Sequence, residues 1–577
     1  MLDFSPLPTL RPPIMGSKYM VVSGHYLASM AGMRILEMGG NVVDAGVATG
    51  LCINVLQPDM TNIGGVAPII LSLAPSREVV TISGLGRWPK AATLDEIGRR
   101  GGDISGGMLA AVTPSALDAW IEALDRYGTM SFADVAAPAI ELAEQGFPVN
   151  RFLADNLSRN AEHLALWPST RAVYLSRGRS PQVGERLVQR EVAGTLRMLA
   201  EAERGATGRQ VGLRAARDLF YCGDVARRMI AFCQEMGGLL TMDDLAGFRV
   251  KVEPPVKTTY RGYDVYGCGS WCQGPVALEA LNILEGYDVA SLPHNSAPVL
   301  HLIVEALKAA FADRHAYYGD PEFVPVPIVG LLSKAYAASW RDRIAADRAF
   351  PEMPEPGNPR AYQAETRTTP VPARPVAASG PDSPDTSYLC VLDRDGNVFS
   401  ATPSDGVLDT PLVPGLGFII SSRGRQSWLD PDHPSCVAPG KRPRLTPCPG
   451  LVMKDGRVFM PYGTPGHDVQ PQAMVQLLLN VLDYGMDVQE AIEAPRVAAY
   501  SFPGSAHPHP YHPGLLRAET RIPETTLDTL GRLGHRIERW PTWTPKAGAL
   551  CAAVLNPTEG VLAGGADPRR MAYAIGW

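Results

Sequence analysis

The chain has 577 residues, 53 Lys and Arg against 59 Asp and Glu for a net charge of −6, and 45% hydrophobic residues. This is a globular composition with ample material for a core, and the absence of a basic block excludes nucleic acid as the expected partner. Nine cysteines, an odd number without a CxxC pair, supply no disulfide or metal framework.

The N-terminus, MLDFSPLPTLRPPIMGSKYM, places Pro where a signal peptide needs an apolar helix, and no apolar run reaches about 18 residues. A soluble, reduced, cytoplasmic protein without a membrane partner is therefore expected. LASMAGMRILEMGG has helical apolar spacing and a Gly-Gly stop. NVVDAGVATGLCINVLQPD carries Asn41 as a cap and is apolar all round, which predicts a buried helix. Asn62-Ile63-Gly64-Gly65 then breaks the chain before the apolar strand VAPIILSLAP. From 114 to 235 helices dominate, with apolar stripes in SALDAWIEALDRYG, SFADVAAPAIELAEQG and VAGTLRMLAEAERG. Asp243-Asp244 reads as a helix N-cap. Further helices are expected at 298–315 and 330–346.

From 349 to 385 Pro is dense and apolar periodicity is lost, so a linker or mobile segment is expected. Strand signals follow in TSYLCVLD, VFSAT, GFIISS and PGLVMKDGRVFMPYG, with turn chemistry at Asp395-Gly396-Asn397. A helix at about 472–484 and a terminal hairpin around Asn556-Pro557 complete the chain. Helices, a loose joint and then strands predict an α/β (α+β) protein with helices layered on sheet.

Thr386 opens the first of these later strands directly behind the Pro-rich stretch. A threonine hydroxyl becomes a useful nucleophile when a base lies beside it, and an N-terminal Thr carries that base as its own α-amine. Cleavage between Asp385 and Thr386 would create that terminus; without it, Thr386 is an ordinary β-branched residue starting a strand. Gly463-Thr464-Pro465-Gly466-His467-Asp468 lies between a strand and a helix, where backbone N–H groups can hold an oxyanion or simply form a turn. His467 could act as a base, contact substrate or serve structurally. Arg423 and Arg425, and the cluster Lys441-Arg442-Pro443-Arg444, are candidates for carboxylate recognition or plain surface charge.

Taken together these blocks resemble the γ-glutamyltranspeptidase family of N-terminal nucleophile hydrolases over nearly the whole chain. GGNVVDAGVATGLCINVLQPDMTNIGG, TPSALDAWIEALDRYGTMSFADVAAPAIELAEQGFPV, DDLAGFRVKVEPPV, EALKAAFADRHAYYGDP, DTSYLCVLDRDGNVFSAT, GKRPRLTPCPGLVMKDG and YGTPGHDVQPQAMVQ occur in the family's order. The resemblance implies a four-layer αββα sandwich and self-cleavage between Asp385 and Thr386. The products would be a large subunit 1–385 and a small subunit 386–577, intertwined in one domain as a heterodimer that could itself pair. It implies Thr386 as nucleophile and base, Ser404 as the residue bonded to it, Gly466 and His467 as oxyanion donors, and no cofactor or metal.

The donor site departs from the family pattern. Leu85 stands where the archetype has an Arg, with Arg87 two residues on. Gly406 replaces an Asn, Arg425 or Gln426 falls at the Asp for the substrate amine, and Leu445-Thr446 replaces a Ser pair. Arg87, Arg423, Arg425, Gln426, Leu445 and Thr446 are thus the expected substrate contacts. The expected activity is hydrolysis of a small amide that is not a standard γ-glutamyl donor, through an acyl-enzyme on Thr386. The sequence most resembles a signal-less branch containing oxamate amidohydrolase-like and putative glutathione hydrolase proteins. The alternatives are a γ-glutamyl hydrolase or transferase acting on glutathione, a C–C bond hydrolase, and an unprocessed binding protein.

Overall fold

The hairpin behind Thr386 organises the molecule. In the computed structural model, which describes residues 9–74, 76–364, 372 and 386–577, strands Leu389–Asp393 and Val398–Ala401 pair antiparallel around the expected turn. Cys390 and Leu392 point to one face and Leu389 and Val391 to the other, and all four are fully buried. A strand buried on both faces lies inside a sandwich.

Seven antiparallel strands form the sheet containing this hairpin, in the order Tyr573–Gly576, Tyr19–Ser23, Leu389–Asp393, Val398–Ala401, Ile69–Ser72, Val79–Ile82 and Val252–Glu253. A second sheet of seven runs Ile14–Gly16, Val561–Ala566, Cys551–Asn556, Arg457–Gly463, Gly450–Lys454, Tyr263–Gly267 and Val256–Tyr260. Met20, Val22, Cys390 and Leu392 of the first meet Leu451, Met453, Cys551 and Ala553 of the second in the central core.

Helices cover both outer faces. Tyr26–Glu37, Val42–Leu56, Ala116–Tyr127 and Phe132–Gln145 lie on the first sheet, and Gly274–Leu284, Ala297–Tyr317 and Gln470–Leu482 on the second. The result is the expected four-layer αββα sandwich. Every residue of Val42–Leu56 is buried, and Asn41 caps it by accepting from the N–H groups of Val43 and Asp44. No helix among the described residues is long and apolar enough to cross a membrane.

Four expectations need correction. GFIISS is not a strand: Ile419 makes a single bridge to Leu412, and its N–H is taken by the Asn62 side chain. Thr241, not Asp243 or Asp244, caps its helix, with Asp244 completing a capping box three residues on. The helix expected over 330–346 is confined to Lys334–Arg341, behind a separate turn at Ile328–Leu331. Residues 349–364 are pinned, because Ala349 N–H donates to Leu533 O, Met353 N–H to the Tyr511 hydroxyl and Gly357 N–H to Asp313. The remainder of the expected mobile segment, with Asp385, lies outside the described residues apart from Pro372.

Candidate active site

The hairpin register, carried three residues past Leu389 and Ala401, sets Thr386 opposite Ser404. The backbone supports this, since Ser387 N–H donates to Pro403 O at 2.9 Å. Thr386 Oγ1 lies 2.7 Å from Ser404 Oγ, and both residues are buried. Ser404 is fixed in turn by a two-bond exchange with Val66.

Thr386 has φ of 96°, the left-handed side that a β-branched residue rarely enters. This backbone strain at the nucleophile candidate is held from both ends. Thr386 N–H donates to Met60 O at 3.0 Å, and Arg570 Nη1 approaches Thr386 O at 3.5 Å while its Nη2 donates to Pro545 O. Asp59, beside Met60, is buried and accepts from Asn156; burial pushes its carboxyl up to about 6.

Arg423 reaches the same centre. Its Nη2 donates to Ser404 Oγ, and its Nε lies 3.7 Å from Asp405, with both residues fully buried. Asp405 has φ of 90° and accepts from the Ser421 and Ser422 hydroxyls.

Gly466 and His467 form the turn between strand Arg457–Gly463 and helix Gln470–Leu482, with φ of 128° and 51°. The strand end abuts the hairpin behind Thr386: a Cβ at Gly463 would meet the Tyr388 ring at 2.3 Å. Among the described residues the Gly466 N–H has no acceptor, as an oxyanion donor requires. His467 O accepts from Gln273 Nε2 at 2.7 Å, and the same nitrogen donates to Thr446 O. Asp468 accepts from Arg314 and from Ser505. Burial raises its pKa, but these partners outweigh burial and hold it below the carboxylate range.

A cavity of about 840 Å³ opens onto Gly466 and His467, walled by Trp167, Tyr500, Phe502 and Arg425 among others. Of the expected substrate contacts, Arg425 lies on this wall, paired with Asp409. Gln426 and Thr446 bond to each other at 3.0 and 3.2 Å, and Leu445 is in the core. Arg87 is a correction: its guanidinium is held by Gly440 O and Glu322 beside Asp320, in a peripheral ion-pair network. Arg442 belongs to that network through Asp320 and Glu253, and Arg444 is buried against Ser505 and the Trp428 ring.

Met60, Asp405, Gln273, Arg314 and Arg570 were not singled out by the sequence. Met60 and Arg314 lie within the family-like blocks GGNVVDAGVATGLCINVLQPDMTNIGG and EALKAAFADRHAYYGDP, which mark the region without marking the residue. Among the described residues, one group could hold a metal by ligand type and spacing: buried His301, Glu305 and His535. Lys308 already pairs with Glu305 there, and His301 bonds both His535 and Ala345 O.

Two antiparallel sheets faced by helices define an N-terminal nucleophile hydrolase fold. The gamma-glutamyltranspeptidase family profile matches residues 28–577, and the chain belongs to that family. It is 36% identical to the glutathione hydrolase-like YwrD proenzyme of Bacillus subtilis (strain 168), over 98% of this chain and 99% of that one. It is also 36% identical to the acylase ACY 1 proenzyme of Pseudomonas sp. (strain SE83), over 96% and 93%. The crystal structure of cephalosporin acylase from Bacillus halodurans superposes with a TM-score of 0.85 at 30% identity, covering 100% of this chain and 99% of that one. The chain is thus a hydrolase of this family, of the self-processing amide-hydrolase type.

Proposed function

We propose that Thr386 is the nucleophile of a self-cleaving amidohydrolase whose substrate is a small amide without the γ-glutamyl α-amino group. Self-cleavage frees the Thr386 α-amine, which takes the Oγ1 proton as Oγ1 attacks the substrate carbonyl. The Gly466 and His467 N–H groups receive the oxyanion, the amine leaves with the proton, and water releases the acid from the acyl-enzyme. Processing yields subunits 1–385 and 386–577, which remain together because the first sheet interleaves strands from both.

The observation that carries this reading is the 2.7 Å contact of buried Thr386 Oγ1 with Ser404 Oγ. The Gly466 N–H lies in the turn after a strand whose Gly463 packs on Tyr388 of the same hairpin. The acyl preference rests on the donor positions. Leu85 and Leu445 are buried apolar residues, Gln426 and Thr446 satisfy each other, and by the family resemblance Arg425 or Gln426 falls near the position of the acid that would meet an ammonium.

The second reading, a glutathione hydrolase, is favoured by the glutathione hydrolase-like relative. Paired substrates that differ only in the α-ammonium, γ-glutamyl anilide and glutaryl anilide, separate the two. The proposal expects faster anilide release from the glutaryl compound; preference for the γ-glutamyl compound would reject it.

A further inference from the structure

Arg423 is fully buried, as are its partners Ser404 and Asp405. A guanidinium only donates, so Ser404 Oγ must accept from Arg423 Nη2. Ser404 has one hydroxyl proton left, and Thr386 Oγ1 lies 2.7 Å away. A hydroxyl that accepts from a cation becomes a stronger donor and a poorer acceptor. Ser404 Oγ keeps a second lone pair, but this polarisation favours one direction for the 2.7 Å bond, Ser404 donating to Thr386 Oγ1. The Thr386 proton then points elsewhere, and negative charge developing on Oγ1 meets a donor already in place.

We infer that Arg423 is a positioning residue that activates Thr386 through Ser404, and is not a receptor for a substrate carboxylate. The inference rests on Thr386 being the nucleophile. Asp405 fixes the guanidinium from its other side: its carboxylate is held by Ser421 and Ser422 and lies 3.7 Å from Arg423 Nε. The loop carrying Arg423 returns to the hairpin because Ile419 N–H is taken by Asn62 and Val112 N–H by Ser421 O.

The relay serves the first chemical event, which needs no external substrate. Thr386 Oγ1 attacks the carbonyl carbon of residue 385, the O–C bond forms, the C–N bond to residue 386 breaks, and the hydroxyl proton ends on that nitrogen. Water then hydrolyses the ester, restoring the hydroxyl and leaving a carboxylate on residue 385.

The test is the self-cleavage rate of the full chain, followed by denaturing gel and mass after rapid cell-free synthesis. Arg423→Met should slow cleavage about 10- to 100-fold, the worth of one charge-assisted hydrogen bond. In a Ser404→Ala background the same substitution should change the rate by no more than about twofold, the scatter of independent sites. Equal slowing in both backgrounds, or none in either, overturns the inference. Arg423→Lys keeps the charge opposite Asp405, but a single ammonium cannot also reach Ser404 as the fork does. It should show the same background dependence, and it replaces the Met variant if that one fails to fold. Thr386→Ala serves as the control. Cleavage in that variant would reject the nucleophile itself, an outcome distinct from failure of the relay.

Discussion

The family resemblance sets Gly406 where the archetype has an Asn, and in this structure a side chain at Gly406 meets backbone. A Cβ built on Gly406 would lie 2.2 Å from Asp59 O, 2.3 Å from its carbonyl carbon and 2.7 Å from Met60 N. Ordinary contact begins near about 3.5 Å, so residues 59–60 would have to retreat by roughly 1 Å. Those atoms are backbone and cannot swing aside. They are tied to the neighbouring chain by Val407 N–H on Pro58 O, and Met60 O holds Thr386 N–H at 3.0 Å. Overpacking of this kind costs about 1–3 kcal/mol, and a displacement of about 1 Å at a reacting group costs on the order of 100-fold in rate. Gly406→Ala should therefore fold with reduced thermal stability and self-cleave about 100-fold more slowly. The assay is a time course of freshly synthesised chain on a denaturing gel. Cleavage at the wild-type rate by this variant would refute the coupling of residues 59–60 to Thr386.

Other predictions follow from the same geometry. Arg87→Ala should leave self-cleavage and turnover unchanged and cost under about 1 kcal/mol in a denaturant melt, because Arg87 serves a partly exposed ion-pair network; a large activity loss would return it to the site. Stability should fall on acidification from about pH 6.5. Burial lowers His25 to about 4 and His509 to about 3, and it lowers His433 as well. Their contribution is complete above the unfolded histidine value and is lost as pH falls towards these depressed values. Burial raises Asp59 and Asp313 to about 6, which acts in the opposite direction below that pH. His535, lowered by burial to about 2, adds to the histidine side, and Glu279, Asp118 and Asp393, all raised by burial, add to the carboxyl side. The unfolded histidines take up most of their protons between about pH 7 and 5.5, so the urea midpoint at pH 5.5 should lie below that at pH 7. An unchanged or higher midpoint would contradict the assignment.

Local patterns made much of the fold legible. The Asn41 cap and an apolar run marked a buried helix, and Asp395-Gly396 fixed a hairpin whose register places Thr386 opposite Ser404. GFIISS misled because it has strand composition and is buried; its backbone groups are satisfied by loops and the Asn62 side chain instead of a ladder. Arg87 and Arg423 looked alike as candidate carboxylate receptors. Only tertiary structure separates them, one on peripheral acids and one on Ser404, the neighbour of Thr386. Met60 contributes through its backbone carbonyl, which any residue carries, so sequence offered no signal for it.

The central claim is that Thr386 becomes a free N-terminus. Intact mass under denaturing conditions tests it most directly. The account predicts two chains, residues 1–385 and 386–577, the smaller starting at Thr386, and a single chain for Thr386→Ala. A wild-type chain that remains whole at 577 residues after prolonged incubation, or a Thr386→Ala variant cleaved at the same bond, would contradict it.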